Sequence, residues 1–129
     1  MRAPQLRSGR TRQRVLIADD SAPVRESLAR LVYQLPNLEL VAEAGDGFEA
    51  LEAIRQINPD VAILDIHMPE INGVDVLEGL RAEGSLCTVI MLTGDTVDAY
   101  RESCGKFGVK HFFEKSSQAA QLVQALKQL

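Results

Sequence analysis

Residues 58–69 read NPDVAILDIHMP, and the middle of this segment indicates the architecture. Asn58 and Pro59 end a helical pattern, and the four residues from Val61 to Leu64 are all apolar. A wholly apolar run of this length is typical of a strand at the centre of a parallel sheet that is covered on both faces. Asp65 follows directly, so we expect its carboxylate at the carboxyl edge of the sheet, where open α/β proteins bind ligands.

Short apolar runs alternate with segments of helical periodicity five times along the chain. This alternation predicts an α/β fold of the (βα)5 type, in which helices cover both faces of a parallel five-stranded sheet. The second run alternates apolar residues with Glu39 and Glu43, as expected for a strand at the edge of the sheet. The predicted strands are Val15 to Ala18, Leu38 to Ala44, Val61 to Leu64, Cys87 to Leu92 and Lys110 to Phe113.

Each predicted strand is followed by a helix whose apolar residues recur at intervals of three and four. Prolines, glycines and capping residues mark where these helices begin and end. The signals are Pro23 and Pro36 around the first helix, Asp46 with Glu49 before the second, Gly84 after the third, and Gly105 with Gly108 after the fourth. The third helix is expected to end near Glu83, and the fourth to run from Thr96 to Phe107. The fifth is expected to have Ser116 or Ser117 as its cap and to run to the last residue.

Length and composition indicate one globular domain. The chain has 129 residues, of which 46% are hydrophobic, and this is enough for a sizeable core. The net charge of −4 combines five arginines in the first fourteen residues with a charge of −9 on the remaining 115. An acidic body argues against nucleic-acid binding by the folded domain, because such binding needs Lys and Arg to neutralise phosphates.

Residues 1–14 are predicted to be a disordered basic tail in front of a domain that spans residues 15–129. The tail contains Pro4, Ser8 and Gly9 and lacks the apolar stretch of a signal peptide. We favour an inert extension over a tether to nucleic acid or to a membrane. No apolar run reaches the roughly 18 residues that a membrane span needs, so we expect a cytoplasmic protein without a membrane partner.

The two cysteines, Cys87 and Cys104, lack the close spacing of a metal or redox motif. One falls in a predicted strand and the other in a predicted helix. We interpret them as reduced thiols that contribute to packing.

Acidic, hydroxyl and basic side chains follow four of the five predicted strands. Asp19 and Asp20 come after the first strand, Asp65 after the third, Thr93 after the fourth and Lys115 after the fifth. If these strands are parallel neighbours, all five side chains lie at one edge of the sheet. Three clustered carboxylates suit Mg²⁺, a hard cation that prefers oxygen ligands.

This set of groups predicts a site at which a carboxylate accepts a phosphoryl group. Without a cation the carboxylates repel one another, and metal binding would keep Asp65 ionised. An ionised carboxylate can attack phosphorus, while a cation, an ammonium and a hydroxyl are suited to contact the phosphoryl oxygens. Each residue alone also has an ordinary interpretation as a turn, cap or surface group, but their joint position after four strands favours the site.

The chain resembles the receiver domains of two-component response regulators. The resemblance covers about Arg14 to Leu129 and rests on the segments VLIADDSAPVRESL, EAGDGFEAL, PDVAILDIHMPEINGVDVL, VIMLTG and FFEK. It implies a flavodoxin-like, doubly wound sheet with strand order 2-1-3-4-5. It also implies a phosphoprotein of phosphorelay signal transduction that is not an enzyme, apart from catalysing its own phosphorylation and autodephosphorylation.

By this resemblance Asp65 is the phosphoacceptor, and the donor is a phosphohistidine of a sensor histidine kinase or a histidine phosphotransfer protein. Asp20 would bind Mg²⁺ directly, Asp19 mainly through water, and His67 through its backbone carbonyl. Binding through the His67 ring is disfavoured, because Mg²⁺ prefers oxygen to nitrogen.

The resemblance also implies the residues that contact the phosphoryl group and respond to it. Thr93 and Lys115 would hold the phosphoryl oxygens, and Gly94 would leave access to the acceptor open. Thr93 and Phe112, which lies three residues before Lys115, would act as switch residues. By residue type alone, a core aromatic is an equally good interpretation of Phe112.

The implied output surface consists of the fourth helix, the fifth strand and the fifth helix, where a downstream effector protein would bind. Tyr100, Lys110 and His111 would report the state of the switch on this surface. The segment LIADDSAPVRESLARLV resembles receivers attached to helix-turn-helix outputs, whereas FFEKS resembles free-standing receivers. We favour the free-standing, chemotaxis-receiver-like interpretation.

Two features differ from the usual family pattern or leave the kinetics open. Ser116 follows the active-site lysine where the family usually has proline, often after a cis bond. A cis bond before serine costs about 2.5 to 4 kcal/mol, so we expect trans geometry or a strained loop there. His67 and Asp95 occupy positions that tune the lifetime of the aspartyl phosphate in this family.

A phosphorylation-dependent signalling module is the first hypothesis, and a docking module that has lost its switch is the second. Retention of all five site residues favours the first. A phosphatase with an aspartate nucleophile would want a second acid two residues after Asp65, where His67 stands. The motifs GxxxxGK(S/T) and GxGxxG are absent from the sequence, so nucleotide hydrolysis and dinucleotide redox chemistry lack support.

Overall fold

Five parallel strands and five helices make up the structure, a computed structural model that describes residues 12–94, 98–109, 111–115 and 117–129. The strands are β1 (Gln13–Ala18), β2 (Leu38–Ala44), β3 (Val61–Asp65), β4 (Thr88–Thr93) and β5 (His111–Glu114). The helices are α1 (Ala22–Gln34), α2 (Gly47–Ile57), α3 (Gly73–Ala82), α4 (Asp98–Gly105) and α5 (Ala119–Lys127). None of the helices in these ranges has the length and hydropathy of a membrane span.

The strands form one sheet in the order β2-β1-β3-β4-β5, and every neighbouring pair is parallel. This confirms the predicted order 2-1-3-4-5. The register pairs Ala18 with Leu64 and Asp65 with Leu92, so neighbouring strands end at nearly the same level. Their carboxyl ends therefore meet along one edge, which we call the carboxyl edge.

Two apolar layers cover the two faces of the sheet. One layer packs α2, α3 and α4 against it and includes Leu16, Leu64 and Met91. The other packs α1 and α5 against the opposite face and includes Ile17 and Ile63. Successive residues of a strand point to opposite faces, which is why adjacent residues belong to different layers. All five residues of β3 are buried, as its apolar sequence predicts.

Turn and capping residues act at the positions that the sequence indicates. The Asp46 side chain accepts a hydrogen bond from the Glu49 backbone N–H at 2.8 Å and so caps α2. Asn58 ends the same helix in a left-handed conformation with φ of 52°. Gly84 and Gly108, which follow α3 and α4, have φ of 82° and 81°, a region that favours glycine.

The first strand begins two residues before its predicted start, at Gln13. The Arg14 guanidinium donates hydrogen bonds to the carbonyl oxygens of Ile57 and Asn58 at 3.1 and 3.0 Å. These bonds hold a polar residue at the end of the sheet, so the expectation of a disordered tail is wrong for Gln13 and Arg14. Residues 1–11, which form most of the predicted tail, lie outside the described residues.

The fifth helix is shorter than predicted at both ends. The Ser117 hydroxyl donates to Glu114 instead of capping the helix, and Gln118 is the residue before the first helical turn. At the other end the N–H of Leu129 bonds to the carbonyl three residues back, so the last turn is tighter than an α-helix. The other predicted cap, Ser116, lies outside the described residues, as does the predicted start of the fourth helix at Thr96.

Cys87 and Cys104 are both buried and free, which confirms that they are packing thiols. Burial raises the pKa of the Cys87 thiol to about 11, and it also raises the pKa of Cys104. A thiol with such a pKa holds little thiolate at neutral pH, and the thiolate is the reactive form.

Iodoacetamide at pH 8 should therefore alkylate the native protein slowly. We expect Cys87 to react more than about 100-fold slower in the native protein than in urea, where its pKa returns to about 8.5. Peptide mass spectrometry after timed quenching measures both rates. Equal rates would show that the thiol is accessible and that its pKa is ordinary.

Gly73 allows the first turn of α3 to approach the end of β3. A Cβ at this position would lie 2.4 Å from the Asp65 carbonyl oxygen. The Gly73 N–H also donates to the Ile66 carbonyl at 2.9 Å, so the backbone cannot move away without losing this bond. Gly73→Ala should lower the free energy of unfolding by roughly 1 to 3 kcal/mol, as urea denaturation would show.

Gly79→Ala in the same helix is the matched control. A Cβ there would meet only the Leu51 methyl groups at 3.6 Å, and alanine favours the helix. We expect unchanged stability or a gain of up to about 1 kcal/mol. Equal stability of both variants would contradict the close approach at Gly73.

Candidate functional site

Three aspartates converge at the carboxyl edge. Asp19 and Asp20 follow β1, and Asp65 is the last residue of β3, the adjacent strand. One carboxylate oxygen from each residue lies within 4.8 Å of the other two. Asp19 and Asp65 are buried, whereas Asp20 is exposed. We call these three carboxylates the acidic notch. Two of them are buried, and the third faces solvent.

The Asp19 carboxylate retains lone pairs that the protein does not satisfy. Its Oδ1 accepts a hydrogen bond from the Ser21 N–H at 2.9 Å. Its Oδ2 is buried and lies 2.7 Å from the Lys115 Nζ in an ion pair, yet among the described residues it accepts no hydrogen bond of normal geometry. The ion pair compensates the charge and leaves acceptor capacity, which a cation or a water bound to it can use.

Asp65 lies in an environment that disfavours its charge. Its Oδ1 accepts a hydrogen bond from the His67 N–H at 3.2 Å and lies 3.2 Å from the Lys115 Nζ. Burial, and next the charge of Asp19, raise the pKa of Asp65, while Lys115 and the His67 N–H oppose this shift in part. Additional positive charge at the notch would therefore favour the ionised carboxylate.

Lys115 is the cation that the fold itself supplies. Its backbone N–H donates to the Thr93 carbonyl at 2.8 Å, which holds the residue just beyond β5. Burial by itself lowers the pKa of Lys115, but the ion-pair contact with Asp19 and the charges of both buried aspartates outweigh it and raise the pKa. Three ionised carboxylates against one ammonium leave a net charge of −2, which attracts a divalent cation.

The residues of the notch fit Mg²⁺. This ion takes oxygen ligands and usually keeps several waters. The notch offers three carboxylates, an unsatisfied lone pair on Asp19 Oδ2, and an open side at Asp20 through which water can enter.

Thr93 and Gly94 lie at the same edge. Thr93 is the last residue of β4, the strand between β3 and β5, and it is fully buried. Gly94 is exposed, and a Cβ added there would meet no heavy atom of the described residues within 4 Å. The structure thus brings a hydroxyl to the edge that carries Asp65 and Lys115, with open space beside it.

His67 and Phe112 are two further residues that the sequence analysis singled out. The exposed His67 contacts Tyr100 of α4, with the Tyr100 hydroxyl 3.4 Å from Nε2 and the ring centroids 5.5 Å apart. Phe112 of β5 is half-buried and packs against the same apolar layer as Tyr100. His111 is half-buried and stacks on Phe113 with centroids 6.3 Å apart. Asp95, Lys110 and Ser116 lie outside the described residues.

Arg25 is a site residue that the sequence analysis did not identify. Its Nη1 donates a hydrogen bond to the Asp19 backbone carbonyl at 2.7 Å, and its Nε lies 3.8 Å from Glu43 Oε1. A signal was available, because Arg25 is the fourth residue of α1 and the helix dipole disfavours a cation near a helix N-terminus. An arginine at this position therefore indicates that oxygen acceptors lie close to its guanidinium.

An apolar groove of about 390 Å³ lies between α1 and α5. Leu28, Phe113 and Leu122 line it, and Lys115 lies at its border, but none of the three aspartates does. Glu114 is the single acidic residue among the described residues of its lining, whereas the notch gathers three carboxylates, so we assign ion binding and phosphoryl transfer to the acidic notch.

Known proteins share this sequence pattern. The family model of the response regulator receiver domain matches residues 15–127. Protein-glutamate methylesterase/protein-glutamine glutaminase 5 of Anaeromyxobacter dehalogenans is 37% identical over 115 residues, covering 80% of this chain and 32% of that protein. Transcriptional regulatory protein DegU of Brevibacillus brevis is 32% identical over 113 residues, covering 88% of this chain and 48% of that protein. The chain spans less than half of the length of these relatives.

Solved structures share the fold. The receiver domain of NarL from Mycobacterium tuberculosis superposes with a TM-score of 0.82 at 30% identity, covering 89% of this chain and 93% of that one. The response regulator domain of Thermotoga maritima CheB gives a TM-score of 0.82 at 29% identity, covering 91% and 95%. These flavodoxin-like neighbours, the strand order 2-1-3-4-5 and the family match over residues 15–127 agree with the resemblance in the sequence. The chain therefore belongs to the receiver domain family of two-component response regulators.

Proposed function

We propose that this domain accepts a phosphoryl group on Asp65 from a phosphohistidine of a sensor histidine kinase or a histidine phosphotransfer protein. The main support is the position of the Lys115 ammonium, 2.7 Å from Asp19 and 3.2 Å from Asp65. One cation thus contacts both the proposed acceptor and a proposed metal-binding carboxylate. Family membership supports the same role.

The transfer is a displacement at phosphorus. An Asp65 oxygen forms a bond to phosphorus while the bond from phosphorus to the donor imidazole nitrogen breaks, and that nitrogen then takes up a proton. The His67 N–H and the Lys115 ammonium both contact Oδ1, so we assign the attack to Oδ2.

Mg²⁺ is the proposed cofactor, and when bound it would neutralise negative charge on the notch and on the transferred group. Asp20 is the proposed direct ligand, Asp19 would act mainly through water, and His67 through its backbone carbonyl. Asp65 would complete the set. The buried, unsatisfied lone pair of Asp19 and the exposed position of Asp20 support this division of roles.

Thr93 and Lys115 are the proposed partners of the phosphoryl oxygens. Both lie at the carboxyl edge, and the backbone bond from Lys115 to the Thr93 carbonyl ties them together. Lys115 would move from the aspartates to the phosphoryl oxygens, where the same charge is needed after transfer. Gly94 would keep the approach to Asp65 open, as the space around it allows.

The proposed output is a change in the surface made by α4, β5 and α5, which would control a downstream effector protein. Thr93 and Phe112 are the proposed switch residues, with phosphorylation biasing an equilibrium between two states. Tyr100 and His111 lie on this surface and would report the state.

We further propose that the domain, spanning residues 15–129, is a cytoplasmic signalling module and not an enzyme with its own substrate. It would catalyse only its own phosphorylation and dephosphorylation. The charge of −9 on the last 115 residues supports a protein partner instead of nucleic acid for the folded domain.

Mg²⁺ should raise the Tm of the protein. A ligand that binds only the native state adds about 2.7 kcal/mol to the free energy of unfolding when its concentration is 100 times its Kd. Asp20→Asn removes an exposed carboxylate and should leave the Tm without metal unchanged while losing most of the rise. Asp46→Asn is the matched control, since asparagine caps α2 equally well and the residue lies outside the notch. Thermal melts with and without Mg²⁺ would measure this, and an equal rise for Asp20→Asn would contradict the assigned ligand.

Acetyl phosphate with Mg²⁺ should add the mass of one phosphoryl group to the intact protein. We expect no gain for Asp65→Asn and a normal gain for Asp46→Asn, because only the first variant lacks the attacking carboxylate. Intact mass spectrometry measures the result. A wild-type protein that binds Mg²⁺ but gains no mass would refute phosphoacceptance and favour the docking module.

A further inference from the structure

We infer that Arg25 is a positioning residue for the magnesium site. It would hold the segment Asp19–Asp20 in the conformation that directs the two side chains toward Asp65. The inference rests on the proposed function, because it concerns the same notch.

Arg25 connects the ends of two strands. Its Nη1 donates to the Asp19 carbonyl at 2.7 Å, a length typical of a strong, charge-assisted hydrogen bond. Its Nε lies 3.8 Å from Glu43 Oε1 on β2, and a quarter of its side chain is exposed. The guanidinium therefore joins the end of β1 to β2, and solvent screens it only in part.

The Asp19 carbonyl belongs to the peptide unit that leads into Asp20. A peptide unit is planar, so fixing the carbonyl fixes the orientation of the whole unit and the direction in which the Asp20 backbone continues. The other contacts of Asp19 act on different groups, since its N–H bonds to the Ala44 carbonyl at 3.1 Å and its Oδ1 accepts from Ser21. Arg25 is thus the residue that controls this peptide.

Asp20 depends on its backbone for position. It is exposed, and its carboxylate makes no hydrogen bond or ion pair with another described residue. Its direction toward the notch is then set by the peptide that Arg25 holds. If that peptide could rotate freely, each binding of a cation would have to order it at a cost in conformational entropy.

The surroundings of Arg25 accommodate the guanidinium. A Cβ on Gly45 would lie 3.4 Å from Arg25 Nη1 and 3.6 Å from Glu49 Oε1, which is ordinary van der Waals contact, so the guanidinium packs against the residue that follows β2. A guanidinium is planar and has five donors, which lets it serve a carbonyl and a carboxylate together. Lysine keeps the charge but offers a compact ammonium, so it can replace only part of this function.

Position and charge predict opposite effects on metal binding. The Arg25 cation repels Mg²⁺, so a role in charge alone would make its removal strengthen binding. If Arg25 instead acts by positioning, its removal weakens Mg²⁺ binding, because the metal itself must then order its ligands. The sign of the change in Kd therefore distinguishes the two.

Isothermal titration with MgCl₂ on Arg25→Met, Arg25→Lys and wild-type protein tests the inference. We expect the Kd for Mg²⁺ to rise about 10-fold or more in Arg25→Met and by less in Arg25→Lys. Arg14→Met is the matched control, because Arg14 also donates to two backbone carbonyls, of Ile57 and Asn58, but at the opposite edge of the sheet. It should lose stability and keep the wild-type Kd.

An unchanged or lower Kd in Arg25→Met would overturn the positioning role, as would an equal rise in Arg14→Met. If Arg25→Met does not fold, Arg25→Lys decides, and an unchanged Kd there together with an unchanged phosphorylation yield at low Mg²⁺ would also overturn it. A wild-type protein that binds no Mg²⁺ would instead refute the cofactor assignment of the proposed function, and the inference with it. Normal Mg²⁺ binding without phosphorylation by acetyl phosphate would leave the role of Arg25 standing and refute only phosphoacceptance.

Discussion

The ammonium of Lys115, held between Asp19 and Asp65, is the interaction on which the carboxyl edge depends. Two buried carboxylates next to each other would otherwise repel in a medium that screens charge poorly. Burial, and next the charge of Asp19, keep the pKa of Asp65 raised even with Lys115 in contact. The edge therefore carries net negative charge and attracts a further cation. Phosphoryl transfer to a carboxylate requires such positive charge beside the acceptor.

The parallel sheet makes this arrangement possible. Asp19, Asp65 and Lys115 follow β1, β3 and β5, and they meet because the strands run in the same direction and end at nearly the same level. Close packing then fixes the loop after β3 from two sides. A Cβ on Gly47 would lie 2.0 Å from the Ile71 carbonyl oxygen, so α2 approaches that loop as closely as α3 does at Gly73.

The loop that follows the proposed acceptor also contacts the proposed output surface. His67 donates its backbone N–H to Asp65, and its ring rests against Tyr100 of α4. Tyr100 and Phe112 pack against the same apolar layer, so the notch, α4 and β5 are adjacent parts of one packed unit. This adjacency supports the proposed switch, because a change at the notch acts on side chains that already contact α4.

The sequence by itself determined the order and type of the elements and the five residues at the carboxyl edge. These follow from local signals: the apolar run of β3, the Asp46 cap, the Asn58 turn, and the rule that parallel strands share a carboxyl edge. Only the tertiary structure decided that Arg14 belongs to β1, that Arg25 holds the Asp19 carbonyl and that His67 meets Tyr100. Each of these contacts joins groups from different elements, so its existence depends on how the elements pack and not on the pattern within any one of them.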